Sequence, residues 1–514
     1  MRSDLTTLIG IDVGTSGTKA GAYDSAGRPL GTAYVETALN RSAEAIEQDP
    51  AELLSSAYEA VRGCVAAAGI DRRDVAAIAI SGQMAGVLGI DADWSPVTAY
   101  DSWLDARCGP QLRRLAAEHG RLLADRTGCP PMLDHAPKMQ WWRDLRPAEY
   151  ERIAKFVMPA VYVAGEMAGL AAAEAFVDPS YVHFSGVADA RSGGWSAELC
   201  GTLGLDAAKL PEIVPSDRVI GELTAAAAGE CGLAPGVPIA AGLGDTAAGA
   251  LGAGIVRAGQ LLDTAGTAAV LVGCVDAFRP DPGQRLIVMR GSLPGLWMPL
   301  NYVAGAGLCI PWLLGLTGGE ERGGSAPLAA LLAEAAAVPP GADGLLFAPH
   351  VDGRIAPHDP QMHGGWLGLR LSHTRGHLAR AILESVAFEY ATYMAAMKEL
   401  HPDLAFERIL GIGGGARAAA WNQIKADVLG LPYEQVTAEE TATRGAALIA
   451  GAAVGLIDRL DAVAASLETG EQVDPDPARH AHYAERLPRY VELIGWISTW
   501  DSQDRPSRER QLVA

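Results

Sequence analysis

Ile9-Gly10-Ile11-Asp12-Val13-Gly14-Thr15-Ser16-Gly17-Thr18-Lys19 runs as an apolar strand into one carboxylate and then into a turn rich in glycine and hydroxyls. The strand, Leu8 to Asp12, returns as Lys19 to Tyr23, and a second turn follows at Asp24-Ser25-Ala26-Gly27. A strand follows where a Walker loop or a dinucleotide fingerprint needs a helix, so neither motif is present. The stretch reads as a hairpin tip. Its glycines let backbone N–H groups approach phosphate oxygens, Thr15 and Ser16 add hydroxyl donors, Lys19 adds a cation, and Asp12 suits a hydrated magnesium ion. A plain β-turn with an exposed lysine is the competing reading.

Working outward, Asp49-Pro50 marks an N-cap and first helical position, opening a helix through about Ala67, and Val75 to Ile80 reads as the next buried strand. Apolar runs keep alternating with alanine-rich helical stretches, the pattern of α/β domains with covered sheets. Half a chain later, Gln260-Leu261-Leu262-Asp263-Thr264-Ala265-Gly266-Thr267-Ala268 repeats the opening logic of an apolar strand, an Asp and a Gly-Thr turn. Two domains of related architecture are expected, 1–252 and 253–495 with a tail at 496–514, holding a nucleotide between two Gly-Thr hairpins.

Three further segments carry candidate chemistry. Ala241-Gly242-Leu243-Gly244-Asp245-Thr246 puts a carboxylate where a buried strand ends and a small-residue helix begins. Helix capping is the ordinary use of such an Asp, but the flanking glycines leave room for a ligand. Gly413-Gly414-Gly415-Ala416-Arg417 lets backbone lie against a flat ring at a helix start. His350 to Pro360 holds His and Asp, yet its two prolines and lack of an H-x-x-x-H pair favour a rigid loop over a metal cluster.

Composition narrows the function. At 514 residues the chain is about three typical domain lengths, and 49% hydrophobic against 20% charged residues excludes general disorder. With 41 Lys and Arg against 61 Asp and Glu, the net charge of -20 argues against nucleic-acid and anionic-membrane partners. Seven scattered cysteines with no C-x-x-C pair fit a reducing cytoplasm, and without a basic n-region before Leu8 or a small-residue cleavage site after it a secretory signal is not expected. The uncharged run from Gly291 to Gly319 is broken by Pro294, Pro299 and Pro311, so a buried strand, turn and helix are expected there.

Taken together these motifs resemble the FGGY family of carbohydrate kinases, in its xylulokinase-like branch. The landmarks run in family order: Gly10 to Ser16; Ser81-Gly82-Gln83-Met84; Ser102-Trp103-Leu104-Asp105-Ala106-Arg107; Ala136-Pro137-Lys138; Gly244 to Gly249; Ala265 to Ala268; and Gly413 to Arg417 with Trp421-Asn422-Gln423 behind it. The resemblance implies two actin-like, ribonuclease H-like α/β domains with ATP and a sugar meeting in the cleft between them. It makes Asp245 the catalytic carboxylate, Asp12 and Asp245 the magnesium side, and Thr15, Ser16, Lys19, Gly266 and Thr267 phosphate contacts. Gly414, Gly415 and Ala416 would face adenosine; Gln83, Met84, Trp103, Asp105 and Thr246 would face the sugar. Where the branch usually has His after Gln-Met and Asn after the catalytic Asp, this chain has Ala85 and Thr246, and its Gly-Glu-Arg-Thr-Pro run reads Gly353-Arg354-Ile355-Ala356-Pro357.

The expected activity is transfer of the γ-phosphate of ATP to a small sugar, first a ketopentose such as xylulose, with another ketose, a polyol or a sugar acid behind. A switch ATPase of actin-like fold would use the same hairpins, but would have no reason to assemble Gln83, Trp103, Asp105 and Asp245. The sequence leaves the oligomeric state open, with a homodimer among the options.

Overall fold

The computed structural model describes residues 6–42, 45–318, 325–351 and 353–508. Asp352, within the His350 to Pro360 run, lies outside them, as do Gly319 and residues 509–514 of the expected tail.

The opening run forms the strand Thr7–Val13, which folds back antiparallel as Gly17–Tyr23 and again as Pro29–Glu36. On its other side Val75–Gly82 and then Pro238–Gly244 pair in parallel, and Val219–Glu222 closes the edge antiparallel. The second sheet repeats this plan. Gln260–Ala265, Ala269–Gly273 and Trp297–Val303 form the antiparallel meander, Arg408–Ile412 and Tyr433–Val436 add in parallel, and Ile287–Arg290 and Thr469–Val473 close the edges. All six strands of the first sheet and six of the seven in the second therefore share one order and one set of pairing senses, which is how the repeat in sequence becomes a repeat in space.

Local chemistry explains the elements. Asp49 accepts the Ala51 N–H at 2.9 Å, Pro50 sits at the first helical position, and Gly69 ends the helix Pro50–Ala68 with φ of 64°. Leu8, Ile9, Ile11, Ile78 and Ile80 are fully enclosed between helical layers, each contributing about 1.5–3 kcal/mol by leaving water. The run after Gly291 forms the strand Trp297–Val303, the turn Ala306–Leu308 and the helix Cys309–Leu316, and among the described residues no helix is long and apolar enough to cross a membrane. All seven cysteines are buried. The final helix, Pro477–Arg508, continues through residue 496 without a break.

Two short-side-chain helices bring the halves together. Asp245–Gly252 and Thr441–Ala453 meet backbone to backbone: a Cβ on Gly445 would lie 2.0 Å from the Ala248 carbonyl, and one on Gly252 would lie 1.8 Å from that of Thr441. Thr441–Ala453, which lies in sequence between the strands Tyr433–Val436 and Thr469–Val473 of the second sheet, also packs on the first strand of the first. Only glycine permits that approach.

Candidate active site

The strands Thr7–Val13, Val75–Gly82 and Pro238–Gly244 lie side by side, so their ends deliver Asp12, Gln83 and Asp245 to one place. Asp12 is half-buried and its Oδ1 accepts the Ser81 hydroxyl at 2.8 Å. Burial raises its carboxyl above the usual range, while Ser81 and Lys19 oppose the shift and Glu440 adds to it. Asp245 opens the helix Asp245–Gly252, and Thr246 donates to its Oδ1 from the backbone at 2.5 Å and from Oγ1 at 3.1 Å. Desolvation, then repulsion from Asp12, pushes the Asp245 carboxyl up to about 7 against those bonds. Among the described residues its titration is set by burial, Asp12 and Thr246, with no cationic side chain contributing.

The strand end carrying Asp245 is braced from below. Ser180 Oγ accepts the Gly244 N–H at 2.8 Å, and the Tyr181 hydroxyl donates to the Leu243 carbonyl at 3.1 Å. Asp178 accepts the Ser180 N–H at 2.7 Å and the Ser216 hydroxyl. Sequence reading missed this brace, because Asp178-Pro179-Ser180-Tyr181 has no periodicity or spacing that sets it apart from a surface turn.

On the expected sugar side, Met84 lies against Gly244, where a Cβ would come within 2.6 Å of the methionine methyl. The Met84 carbonyl receives His135 Nε2 at 2.7 Å. Trp103, 37% exposed, donates from its indole to Thr15 Oγ1 at 3.0 Å, bringing the two expected subsites into direct contact. Asp105 is 2% exposed; its oxygens take the Ile46 N–H at 2.7 Å and the Arg107 N–H and Nε at 2.9 and 3.0 Å. The Asp105 carboxylate thus orders its own loop. Lys138 ties that loop down by donating to the Ser102 and Asp105 carbonyls at 2.9 and 2.8 Å. Ala85 offers the site a methyl and no polar atom.

The second half presents backbone. Gly266 and Thr267 are exposed at their hairpin tip, and Gly307 is pressed on it, its N–H bonded to the Thr267 carbonyl at 3.0 Å. Gly413 turns with φ of 86° into the short helix Gly414–Arg417. A Cβ on Gly414 would meet nothing within 4 Å, whereas Gly415 packs on Trp421 and Ala265, and Ala416 is buried with its carbonyl held by Asn422 at 2.7 Å. Lys19 pairs with Glu440 at 2.8 Å. In the His350 to Pro360 loop, buried His350 lies 3.3 Å from Glu389, and among the described residues no three His, Cys, Asp or Glu side chains converge as a metal cluster.

Residues 7–252 match the N-terminal domain, and residues 265–454 the C-terminal domain, of the FGGY family of carbohydrate kinases. The chain belongs to that family. Kinases of the family take their phosphoryl group from ATP, so this one is an ATP-dependent sugar kinase of actin-like, two-domain fold with a small sugar as acceptor. It is 27% identical to the xylulose kinase of Bacillus subtilis (strain 168) over 492 residues, 95% of each chain. It is 26% identical to the gluconokinase of the same organism, again over 95% of each. The crystal structure of xylulose kinase from Rhodospirillum rubrum superposes with a TM-score of 0.88 at 31% identity, covering 96% of this chain and all of that one.

Proposed function

We propose that this kinase phosphorylates a ketopentose such as xylulose, with Asp245 as the general base. The observation that carries the reading is the Asp245 carboxyl: it sits at a strand end, half-buried, and burial and the Asp12 charge push it up to about 7 with no opposing cation among the described residues. A base so poised can take a hydroxyl proton near neutrality as the bond to phosphorus forms. Two of the relatives described are xylulose kinases, which supports the ketopentose; the gluconokinase places a sugar acid second.

Phosphoryl transfer passes through a loose transition state, so the protein's task is positioning and charge neutralisation. In this reading the segment 1–252 supplies the sugar wall of Gln83, Met84, Trp103, Asp105 and Thr246 together with Asp245, and 253–495 supplies the nucleotide wall. Thr15, Ser16, Lys19, Gly266 and Thr267 donate to phosphate oxygens from the two hairpins, and Gly414, Gly415 and Ala416 lie against adenosine. Two acidic side chains that repel each other form a hard oxygen donor set, which fits Mg2+ held by Asp12 and Asp245. When bound, that ion would neutralise phosphate charge. A reducing cytoplasm suits seven scattered cysteines with no C-x-x-C pair.

The test is Asp245→Asn. Sugar-dependent ATP consumption should fall by roughly a hundredfold or more, the scale of a lost general base, with ATP affinity by calorimetry retained. Normal turnover, or lost nucleotide affinity at unchanged turnover per bound complex, removes the assignment.

A further inference from the structure

Gln48, a residue no motif singles out, sits at the centre of a chain of side-chain hydrogen bonds joining the sugar wall to the phosphate hairpin. Gln48, Gln83 and Thr37 are 1%, 2% and 5% exposed, so water does not complete their bonding and each donor must be accounted for. Gln48 Nε2 donates to the Thr15 carbonyl at 3.1 Å and to Thr37 Oγ1 at 3.3 Å, which turns its Oε1 toward Gln83. Gln83 Nε2 donates to that Oε1 at 2.7 Å and to the Gly14 carbonyl at 3.1 Å. Both Gln83 donors are then used, and its Oε1 faces Thr15.

The consequence falls on a single proton. Thr15 Oγ1 donates to Gln83 Oε1 at 3.0 Å and accepts the Trp103 indole N–H at 3.0 Å. A hydroxyl has one hydrogen, so with these partners it has none for a phosphate oxygen. The rotor is pinned at both ends, and the Trp103 end is the exposed one. A sugar hydroxyl that takes the Trp103 N–H removes one pin and lets the Thr15 proton turn toward phosphate. The same loop reports through the backbone as well, since Gln48 pairs with Tyr100 and the Ile46 N–H is held by Asp105.

We propose that Gln48 is a positioning residue that locks the Gln83 amide, and through it the Thr15 hydroxyl, in an orientation unable to serve phosphate until a sugar engages Trp103. The inference rests on the reading of Thr15 as a phosphate contact. It supplies a reason for the enzyme to ignore water as acceptor.

The experiment measures ATP consumption of wild type, Gln48→Met and Thr37→Val, without sugar and with a panel of ketoses, aldoses, polyols and sugar acids headed by xylulose. Methionine keeps the buried shape and removes every hydrogen bond of the Gln48 side chain, so that the Gly14 carbonyl alone holds the Gln83 NH2 and the amide can turn it to Thr15. Sugar-free hydrolysis in Gln48→Met should rise by about fivefold to tenfold, the scale of one hydrogen bond, while stimulated turnover changes by less than about threefold. Thr37→Val should move the same ratio in the same direction by about twofold, and it carries the test if Gln48→Met fails to fold. An unchanged ratio of sugar-free to stimulated rate overturns the proposal, as does a parallel fall of both rates with melting temperature, which marks a structural role. If wild type responds to a sugar and the ratio is fixed, only this inference fails; if wild type responds to none, the underlying reading of the site fails with it.

Discussion

Asp12 and Asp263 stand in the two matching hairpins, and their environments are opposite. Asp12 stands at the cleft, half-buried, bonded to one serine hydroxyl. Asp263 is fully enclosed, receiving Lys425 Nζ, the Tyr390 hydroxyl at 2.6 Å and the Tyr433 hydroxyl at 2.7 Å. The difference is one residue of spacing. In the first hairpin the last paired residue is Val13, opposite Thr18, and Asp12 precedes it; in the second the last pair is Ala265 and Ala269, and Thr264 precedes it. Asp263 is therefore the counterpart of Ile11, a core residue, and because side chains alternate along a strand, one step moves a carboxylate from the ligand face to the interior. The repeat supplies two matching hairpins, but both carboxylates of the proposed chemistry, Asp12 and Asp245, belong to the first half.

Substituting each Asp by Asn tests that division most severely. Asp12→Asn should cut sugar-dependent turnover by about a hundredfold, through loss of charge where the transferring phosphate is neutralised, and leave the melting temperature close to wild type. Asp263→Asn should do the reverse, costing about 3–5 kcal/mol of stability by stranding Lys425 without its partner, with near-normal kinetics in the fraction that stays folded. Paired kinetic and denaturation curves decide it. A catalytic loss in the Asp263 variant without destabilisation would put that carboxylate in the site.

The titration of Asp245 sharpens the contrast at smaller amplitude. Its folded pKa is raised above the unfolded value, so its contribution to stability is present in acid and is lost as pH climbs from about 4 toward about 7. In chelator, wild-type unfolding free energy should decline across that window by at most about 1.4 kcal/mol per pH unit from this group. Asp245→Asn should flatten the decline, and Asp12→Asn should shift it to lower pH by removing the repelling charge. Asp263→Asn should leave that portion of the slope in place. Melting curves at half-unit pH steps give the answer, and a slope indifferent to Asp12 would separate the two carboxylates electrostatically.

Much of this was legible in the sequence, for a physical reason. Strand ends that carry glycine, hydroxyl and carboxylate must turn and must face something, so Asp12, Thr15, Gly266 and Asp245 announce themselves locally. The face of Asp263 was not legible, because spacing counted from the turn gives orientation only once the last paired residue is known. Nor was Gln48, whose role comes from three partners at sequence distances of 11, 33 and 35. Asp105 shows the converse: the motif marks it as sugar-facing, while its oxygens are bonded to Ile46 and Arg107. Side-chain partners across loops are set by tertiary packing, which neither composition nor periodicity encodes.

The smallest effect concerns which sugar is taken, and it too should divide between the halves. Ala85 follows Met84, whose side chain lies on Gly244, and Thr246 bonds Asp245 directly, so both positions flank the proposed base. A methyl at 85 leaves room and no donor; a hydroxyl at 246 reaches less far than an amide would. A sugar hydroxyl deprived of its partner costs about 1–3 kcal/mol, which reorders competing sugars by about tenfold. The double change Ala85→His with Thr246→Asn should therefore alter the ranking of kcat/KM across ketoses, polyols and sugar acids while the KM for ATP holds within about twofold. A ranking that stays fixed, or an effect that falls chiefly on the KM for ATP, would mean that these two positions do not line the sugar pocket, and the placement of the acceptor in the first half would have to be redrawn.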